Sequence, residues 1–270
     1  VTAGTVTNTA AASGTGTITD NDGAPSFSVG DVIISEGGLM TFTVTRTGDA
    51  QANQSVSFAT SIGGSDTAEA ADFSSNSGTL TFAQGEVSKT FTVQTTQDTS
   101  FEGAETFTVT LSNATGGATI GDGTGVGTIK DDGTGPGPFG PGPNADNDTP
   151  TLSVSNVSVT EGTDPYAVFT VSLSNTSDQA VSFNLALTTG TATVGTDTGA
   201  QAALQVSTDG GTSWTTASAA TIAAGSTSVL VRTAITDDAI SEGSEAFTLS
   251  ATVTAGTVTN TAAASGTGTI

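Results

Sequence analysis

One 18-residue segment occurs twice in the sequence without a single difference. The letters VTAGTVTNTAAASGTGTI occupy Val1–Ile18 and return at Val253–Ile270. The second copy begins 252 residues after the first (Val253 against Val1), a period too long for a solenoid unit but suited to a pair of domains. The sequence therefore predicts a tandem array, of which one full period and an overlap are present.

Short runs in which apolar and polar residues alternate fill the sequence between the two copies. Met40–Thr45 is the clearest run, since Met, Phe and Val there take turns with three threonines. A period of two residues indicates a strand with one buried face, and the Gly, Asn and Asp clusters between runs are typical of turns. We found no helical period. The chain is predicted to be all-β, with two tandem antiparallel β-sandwiches of the immunoglobulin-like type.

The strand assignment includes one long strand and one insertion. Phe27–Ile34 is predicted to be a single strand. In the second half, Ala203–Ser207 and Thr212–Thr216 flank an Asp-Gly pair, which predicts an additional hairpin that carries Trp214. The indole ring either packs on its own sheet or stacks on a sugar ring.

A run of alternating proline and glycine divides the chain. Gly133–Asn147 (GTGPGPFGPGPNADN) is unsuited to a strand ladder, because proline lacks an N–H donor and glycine carries an entropic penalty. We expect an extended spacer and a loose joint here, and a stiff joint at the short acidic stretch Thr19–Pro25. The predicted organisation is residues 1–24 as closing strands of a preceding repeat plus an acidic joint, 25–132 as the first sandwich, 133–150 as the linker, and 151–270 as the second sandwich with the extra hairpin.

The ionisable residues narrow the possible chemistry. Four basic residues oppose 26 acidic ones, the net charge is −22, and the sequence has no histidine and no cysteine. Such a surface repels nucleic acid and anionic membranes and attracts cations. Thiolate and imidazole metal sites are excluded, as are Ser–His–Asp and Cys–His nucleophiles; the oxygen ligands that remain favour calcium or magnesium. No apolar run approaches the ~20 residues of a membrane span. We therefore predict binding to neither nucleic acid nor the membrane interior.

Acidic residues recur at matching places in the two halves. The pair Glu36-Gly37 corresponds to Glu161-Gly162, and Asp98–Phe107 has the same order of acids as Asp238–Phe247. The first half closes with the letters GTIKDD. The second closes with GTI, after which the repeat would supply Thr19–Asp22.

Taken in order, these motifs resemble the Calx-β domain, a calcium-binding sandwich of sodium–calcium exchangers that also recurs in giant bacterial surface proteins. The resemblance covers Pro25–Asp132 and, with an insertion, Thr151–Ile270. It implies that acids at one end of each sandwich bind calcium. The implied ligands are Glu36, Asp72, Asp98, Glu102, Glu105, Asp131 and Asp132 in the first sandwich, and Glu161, Asp197, Asp237, Asp238, Glu242 and Glu245 in the second, completed by residues of the Asp20 and Asp22 type.

Electrostatics gives an independent reason to expect a cation at such an end. Carboxylates that converge on one loop region repel one another unless a cation lies among them. Calcium takes six to eight oxygens in flexible geometry, which suits ligands from separate loops, whereas magnesium demands a tighter octahedron. The alternative interpretation is that the acids only cap turns.

These observations predict a calcium-stabilised extender repeat of a large secreted cell-surface protein, acting in adhesion or as a stalk or matrix scaffold. The alternative is a subunit repeat of an extracellular filament, sheath or surface layer. A glycosidase with a carboxylate pair is a third class, and we expect no enzyme. The expected partners are neighbouring copies of the repeat, with other cells or surface polysaccharide as further candidates. Because Val1–Ile18 duplicates a closing strand, we expect a neighbouring molecule or a preceding domain to order it, and the alternative is a frayed tail.

Overall fold

The computed structural model describes Gly4, Ala11 and residues 13–49, 52–131 and 148–270. Their strands fall into two groups. The first group is β1 (Ser26–Val29), β2 (Val32–Ser35), β3 (Leu39–Thr47), β4 (Gln54–Ser61), β5 (Ser77–Phe82), β6 (Ser88–Gln94), β7 (Glu105–Ser112), β8 (Thr119–Asp122) and β9 (Thr124–Lys130).

The second group repeats the plan with one insertion. It consists of β10 (Leu152–Val154), β11 (Val157–Ser158), β12 (Tyr166–Leu173), β13 (Val181–Thr189), β14 (Gln205–Ser207), β15 (Thr215–Thr216), β16 (Ala219–Ile222), β17 (Ser228–Ala234), β18 (Ala246–Ala255) and β19 (Ala264–Thr269), with a 3-10 turn at Gln201–Ala203.

Each group forms two sheets that face each other across a core. The sheets of the first sandwich have the orders β6-β3-β1-β8 and β2-β9-β7-β4-β5; those of the second are β10-β12-β17-β14-β15 and β11-β19-β18-β13-β16. Neighbouring strands are antiparallel except β1–β8, β2–β9 and β11–β19, which are parallel. The predicted all-β fold of two tandem sandwiches is confirmed.

Buried and exposed residues alternate along the strands, which explains why the inner faces of the two sheets pack against each other. In β3 every second residue is buried, from Met40 through Phe42 and Val44 to Arg46, while the threonines between them are exposed. Aromatic rings fill the first core: Phe58 stacks on Phe91 with ring centroids 3.8 Å apart. Burial of each such side chain contributes roughly 1.5–3 kcal/mol to the stability of the folded state. The apolar residues that the alternation places on the inner faces therefore supply the main stabilisation of the fold.

The predicted strand Phe27–Ile34 is wrong as a single element. The chain leaves the first sheet after β1 and enters the second sheet with β2, so that the exposed residues Gly30 and Asp31 connect the two sheets. The Asp31 carboxylate accepts a hydrogen bond from the backbone N–H of Val126 (2.8 Å), which fixes the crossing beside β9. The burial phase changes at the crossing, since Phe27 and Val29 face the core in β1 and Val32 and Ile34 pack against it in β2. Three consecutive apolar letters, Val32–Ile34, conceal that change of phase in the sequence.

The inserted hairpin of the second sandwich is confirmed in a shorter form. β14 pairs antiparallel with β15, and β14 also extends the sheet beside β17. The Arg232 guanidinium lies 3.9 Å from the centre of the Tyr166 ring and 4.1 Å from that of Trp214. The Trp214 indole donates to the Gly211 carbonyl (3.0 Å), so this ring packs on its own sheet.

Candidate metal centre

Acidic side chains of the first sandwich gather at one pole. Glu36 follows β2, Asp72 lies between β4 and β5, Asp98 and Glu102 lie between β6 and β7, and Glu105 opens β7. These positions share a pole because β2 and β6 end there and β7 begins there. One set of three carboxylates is Asp72, Glu102 and Glu105, whose candidate ligand oxygens all lie within 4.8 Å of one another.

A second set of three lies at the same pole and was not predicted as such. It joins Glu36 and Asp131, which follows β9, to Asp148, which precedes β10 of the second sandwich. The candidate ligand oxygens again lie within 4.8 Å of one another. Asp131 and Asp148 are only 4% and 8% exposed. We call this set the joint group.

Local hydrogen bonds hold these acids in place. Gly37 has a φ of +69°, which a glycine adopts without strain and which turns the chain directly after Glu36. The Gln97 amide donates to Glu36 Oε1 (2.6 Å), and the backbone N–H of Ser100 donates to Asp98 Oδ1 (2.7 Å). The backbone N–H of Glu69 donates to the Asp72 carboxylate. The same acidic side chains therefore cap turns and also bring negative charge together at this pole.

The carboxylates of the first pole perturb each other strongly. Burial, followed by the charges of Asp131, Asp98 and Asp148, raises the pKa of Glu36 to about 8. Burial and the Asp98 and Asp72 charges raise the pKa of Glu102 to about 7. Burial, a hydrogen bond to Asp72 and the nearby charges raise that of Glu105 to about 9. The pole favours added positive charge, either protons or a metal ion.

The second sandwich has a corresponding acidic cleft. Asp197, Glu242 and Glu245 place candidate ligand oxygens within 4.8 Å of one another, and Glu161 and Asp238 line the same cleft. Glu161 Oε1 accepts a hydrogen bond from the backbone N–H of Asp238 (2.8 Å). Desolvation, followed by neighbouring acids, raises the pKa of both Glu242 and Glu245 above the ordinary value.

Six predicted ligands among the described residues belong to none of the three-carboxylate groups. Asp98 lies at the first pole, and Glu161 and Asp238 line the cleft of the second sandwich, outside those groups. The other three are Asp237, Asp20 and Asp22. Asp237 lies against Gly162, beside the acidic cleft rather than in it. Asp20 and Asp22 are exposed and precede β1, where the Asp22 backbone N–H donates to Asp20 Oδ1 (3.0 Å). Their predicted role concerned residues that would follow the last strand of a second sandwich. Asp132 and the spacer Gly133–Asn147 lie outside the described residues.

The donor sets fit a hard divalent cation. All groups consist of carboxylates, three carboxylates offer up to six oxygens, and the ligands come from separate loops. Calcium accepts six to eight oxygens in variable geometry, so such sets suit it better than magnesium. Residues Glu36, Asp72, Glu102, Glu105 and Asp131 would hold the ion or ions of the first pole.

The fold and its acidic poles define a tandem pair of β-sandwich domains with candidate cation sites. A family model of the Calx-beta domain matches residues 19–131 and 144–217. The chain belongs to the Calx-beta domain family, as its motifs predicted, with one match in each sandwich.

Solved structures with a similar chain trace include Calx domains. The apo-form Calx CBD1 domain is 24% identical, with 41% of this chain and 99% of that chain covered and a TM-score of 0.38. The CBD12 pair from CALX1.2 is 18% identical, with 83% and 79% covered and a TM-score of 0.37. The Calx CBD2 domain is 16% identical, with 39% and 85% covered and a TM-score of 0.35. A search of curated proteins finds no match.

Proposed function

We propose that the chain is a calcium-stabilised extender repeat of a large secreted cell-surface protein, serving adhesion or a stalk or matrix scaffold. The observation that carries the proposal is the gathering of carboxylates at one pole of each sandwich, and all members of the three groups except Glu242 are partly or fully buried. Membership of the Calx-beta family supports calcium as the cation.

An extracellular location agrees with the chemistry of these sites. Sites built from several loops in extracellular modules bind calcium with dissociation constants of about 10⁻⁴–10⁻³ M, and calcium outside cells reaches that range. The net charge of −22 and the duplicated segment suit a soluble, repetitive surface protein. Among the described residues, no helix is long and apolar enough to cross a membrane.

Thermal unfolding tests the calcium proposal directly. At a concentration one hundred times the dissociation constant, a single site stabilises the folded state by about 2.7 kcal/mol. The melting temperature of the chain is expected to rise with calcium and much less with magnesium. An identical melting curve in chelator and in millimolar calcium would refute calcium binding, whatever the location of the protein.

Lateral assembly distinguishes the extender from a filament, sheath or surface-layer subunit. An extender repeat stays monomeric when calcium is added, while a filament subunit associates. Sedimentation velocity of the full chain with and without calcium separates the two functions. A screen against polysaccharides tests surface carbohydrate as a partner, and an assay for release of reducing ends in the same screen tests the glycosidase alternative.

A further inference from the structure

The strands of the second sandwich contain a single charged residue. None of β10 to β19 contains an aspartate, a glutamate or a lysine, and Arg232 of β17 is their only arginine. The acids of this sandwich therefore lie in its loops, and the sheet β10-β12-β17-β14-β15 is uncharged apart from one guanidinium. In a chain of net charge −22, this sheet is a neutral surface with one positive charge on it.

Arg232 lies on the outer face of that sheet. Its neighbours along β17, Val231 and Thr233, are buried, whereas Arg232 is half-buried. The strand register places it between Val168 of β12 and Gln205 of β14. Val168 is 39% exposed, so solvent reaches the surface around the guanidinium.

Two aromatic rings and an amide hold the guanidinium in place. It lies 3.9 Å from the centre of the Tyr166 ring and 4.1 Å from that of Trp214, and its Nε–H donates to Gln205 Oε1 (2.7 Å). Trp214 and Gln205 both come from the inserted hairpin, which has no counterpart among the described residues of the first sandwich. Because the side chain is already positioned, little of its conformational entropy is left to be lost when a ligand binds.

The terminal amino groups of Arg232 are not used by the protein. Within the described parts of the chain they donate no hydrogen bond, and the guanidinium forms no ion pair. Arg46 and Lys89 differ in this respect, since each is paired with an acid three residues away along the chain. Asp209, the acid of the hairpin turn, accepts hydrogen bonds from serine hydroxyls of its own turn instead. Arg232 therefore presents an unpaired cation and free N–H donors next to two aromatic rings.

We propose that Arg232, together with Tyr166 and Trp214, binds the carboxylate of a uronic acid in an acidic polysaccharide. The planar edge of a guanidinium binds a planar carboxylate through two parallel N–H···O hydrogen bonds. Aromatic side chains beside such a polar group provide apolar area for the C–H face of a sugar ring. The inference names the chemical class of the polysaccharide partner and rests on the surface function proposed above, but it does not depend on calcium.

A protein carboxylate is the competing ligand, and the charge of the chain disfavours it. A second copy of the chain also has a net charge of −22, which opposes the approach of two copies. A short uronate oligomer carries few charges and meets the uncharged sheet around the guanidinium. The surface therefore suits a sugar acid better than another copy of the chain.

The test measures the binding of a fluorescently labelled oligogalacturonate to the full chain by fluorescence polarisation in chelator. The chelator removes calcium, which could otherwise bridge the acidic poles to the uronate. Arg232→Gln is expected to weaken binding by about tenfold or more, because charge-assisted bidentate hydrogen bonds are strong. Lys89→Gln is the matched control: it removes the same charge from the first sandwich and should bind like the unchanged chain. Arg232→Lys keeps the charge but lacks the planar fork, so it should also weaken binding, by about threefold or more.

Several results would overturn the inference. They are an unaltered affinity in Arg232→Gln and Arg232→Lys, an equal loss in Lys89→Gln, and equal binding of the carboxyl-reduced oligomer. Tighter binding of a sulfated neutral oligosaccharide would replace the uronate with a sulfate ester. Self-association that sedimentation velocity finds in the unchanged chain and not in Arg232→Gln would assign the guanidinium to a protein carboxylate.

The same experiment separates this inference from the calcium proposal. If the unchanged chain binds no oligogalacturonate, the inference fails, and the calcium response of the melting curve still decides the extender function. If the melting curve does not respond to calcium but binding of the uronate depends on Arg232, the calcium proposal fails and the inference holds.

Discussion

Replacement of Glu105 by glutamine should have opposite effects with and without calcium. The Glu105 carboxylate has two neighbours, Asp72 and Glu102, with candidate ligand oxygens within 4.8 Å. In the metal-free protein this carboxylate either repels them or must take up a proton, as its pKa of about 9 indicates. Both alternatives oppose folding, and glutamine avoids both while keeping the size of the side chain.

The magnitude follows from the separation of the charges. At 4.8 Å, the upper limit of the separations between these candidate ligand oxygens, two unit charges repel by about 3 kcal/mol at an effective dielectric constant of ~20, and by about 1 kcal/mol in water. Because this pole is half exposed, solvent screening favours the lower part of that range, about 1–2 kcal/mol. For a domain of this size, 1 kcal/mol shifts the melting temperature by roughly 4–8 °C. Metal-free Glu105→Gln should therefore melt at least about 4 °C above the unchanged chain.

Calcium should reverse the order of the two proteins. At one hundred times the dissociation constant, calcium adds about 2.7 kcal/mol to the unchanged chain. A variant that binds a hundredfold more weakly gains only about 0.4 kcal/mol at the same concentration. The loss of calcium stabilisation then exceeds the relief of repulsion, so Glu105→Gln should melt below the unchanged chain.

Scanning calorimetry in chelator and in calcium measures both differences on the same samples. Asp122→Asn is the matched control, since Asp122 is an exposed acid of β8 that belongs to none of the three carboxylate groups. It should show neither the gain nor the loss. A lower melting temperature for Glu105→Gln in both conditions would refute the repulsion argument, and an undiminished response to calcium would refute Glu105 as a ligand.

Other perturbations test the pH response, the packing and the hairpin. Because the pKa of Glu105 is raised in the folded state, the protonated carboxyl stabilises the fold fully below about pH 4.5, and this stabilisation is lost as pH rises through about 9. The metal-free chain should therefore lose stability from about pH 5 to about pH 9. Glu105→Gln should lose less stability over the same range, as measured by calorimetry at each pH. Gly127→Ala should destabilise the first sandwich by about 1–3 kcal/mol, measured by urea unfolding, because an added Cβ would overlap an aromatic ring. Gly63→Ala is the control: its added Cβ would lie in open space, so the substitution should be nearly neutral. Trp214→Ala should cost about 1–2 kcal/mol in the same assay by removing its contact with Arg232; unchanged stability together with lost binding of a polysaccharide would favour the sugar-stacking alternative.

The fold could be predicted because nearly every strand keeps one buried face. Runs such as Met40–Thr45 reveal their alternation in the letters alone, and the structure buries the residues that the pattern selects. Two short strands, Thr119–Asp122 and Ala219–Ile222, were missed because each lies at the edge of a sheet. Edge strands bury little, so their sequences carry little alternation.

The candidate site could be predicted only where its ligands lie in the ordered motifs of one sandwich. Asp72, Glu102 and Glu105 come together because β4, β5 and β7 belong to one sheet and lead their flanking loops to one pole. Asp148 could not be found that way, because its neighbours belong to another sandwich and the proline- and glycine-rich segment separates it from Asp131 in sequence. The available signal was its match to Asp22, an Asn-Asp pair shortly before a proline.

The duplicated segment shows how far local sequence determines a strand. In the second copy, Ala264–Thr269 pairs with β18 and, in parallel, with β11, and an added Cβ at Gly268 would overlap the Phe247 ring. In the first copy the described residues form no strand, and the corresponding Gly16 has nothing within 4 Å of an added Cβ. The same letters therefore become a strand only where neighbouring strands and an aromatic ring receive the glycine-lined face. The second copy meets that requirement inside its sandwich. Ordering of Val1–Ile18 remains a prediction, and it requires a partner that offers neighbouring strands and an aromatic ring to the same face.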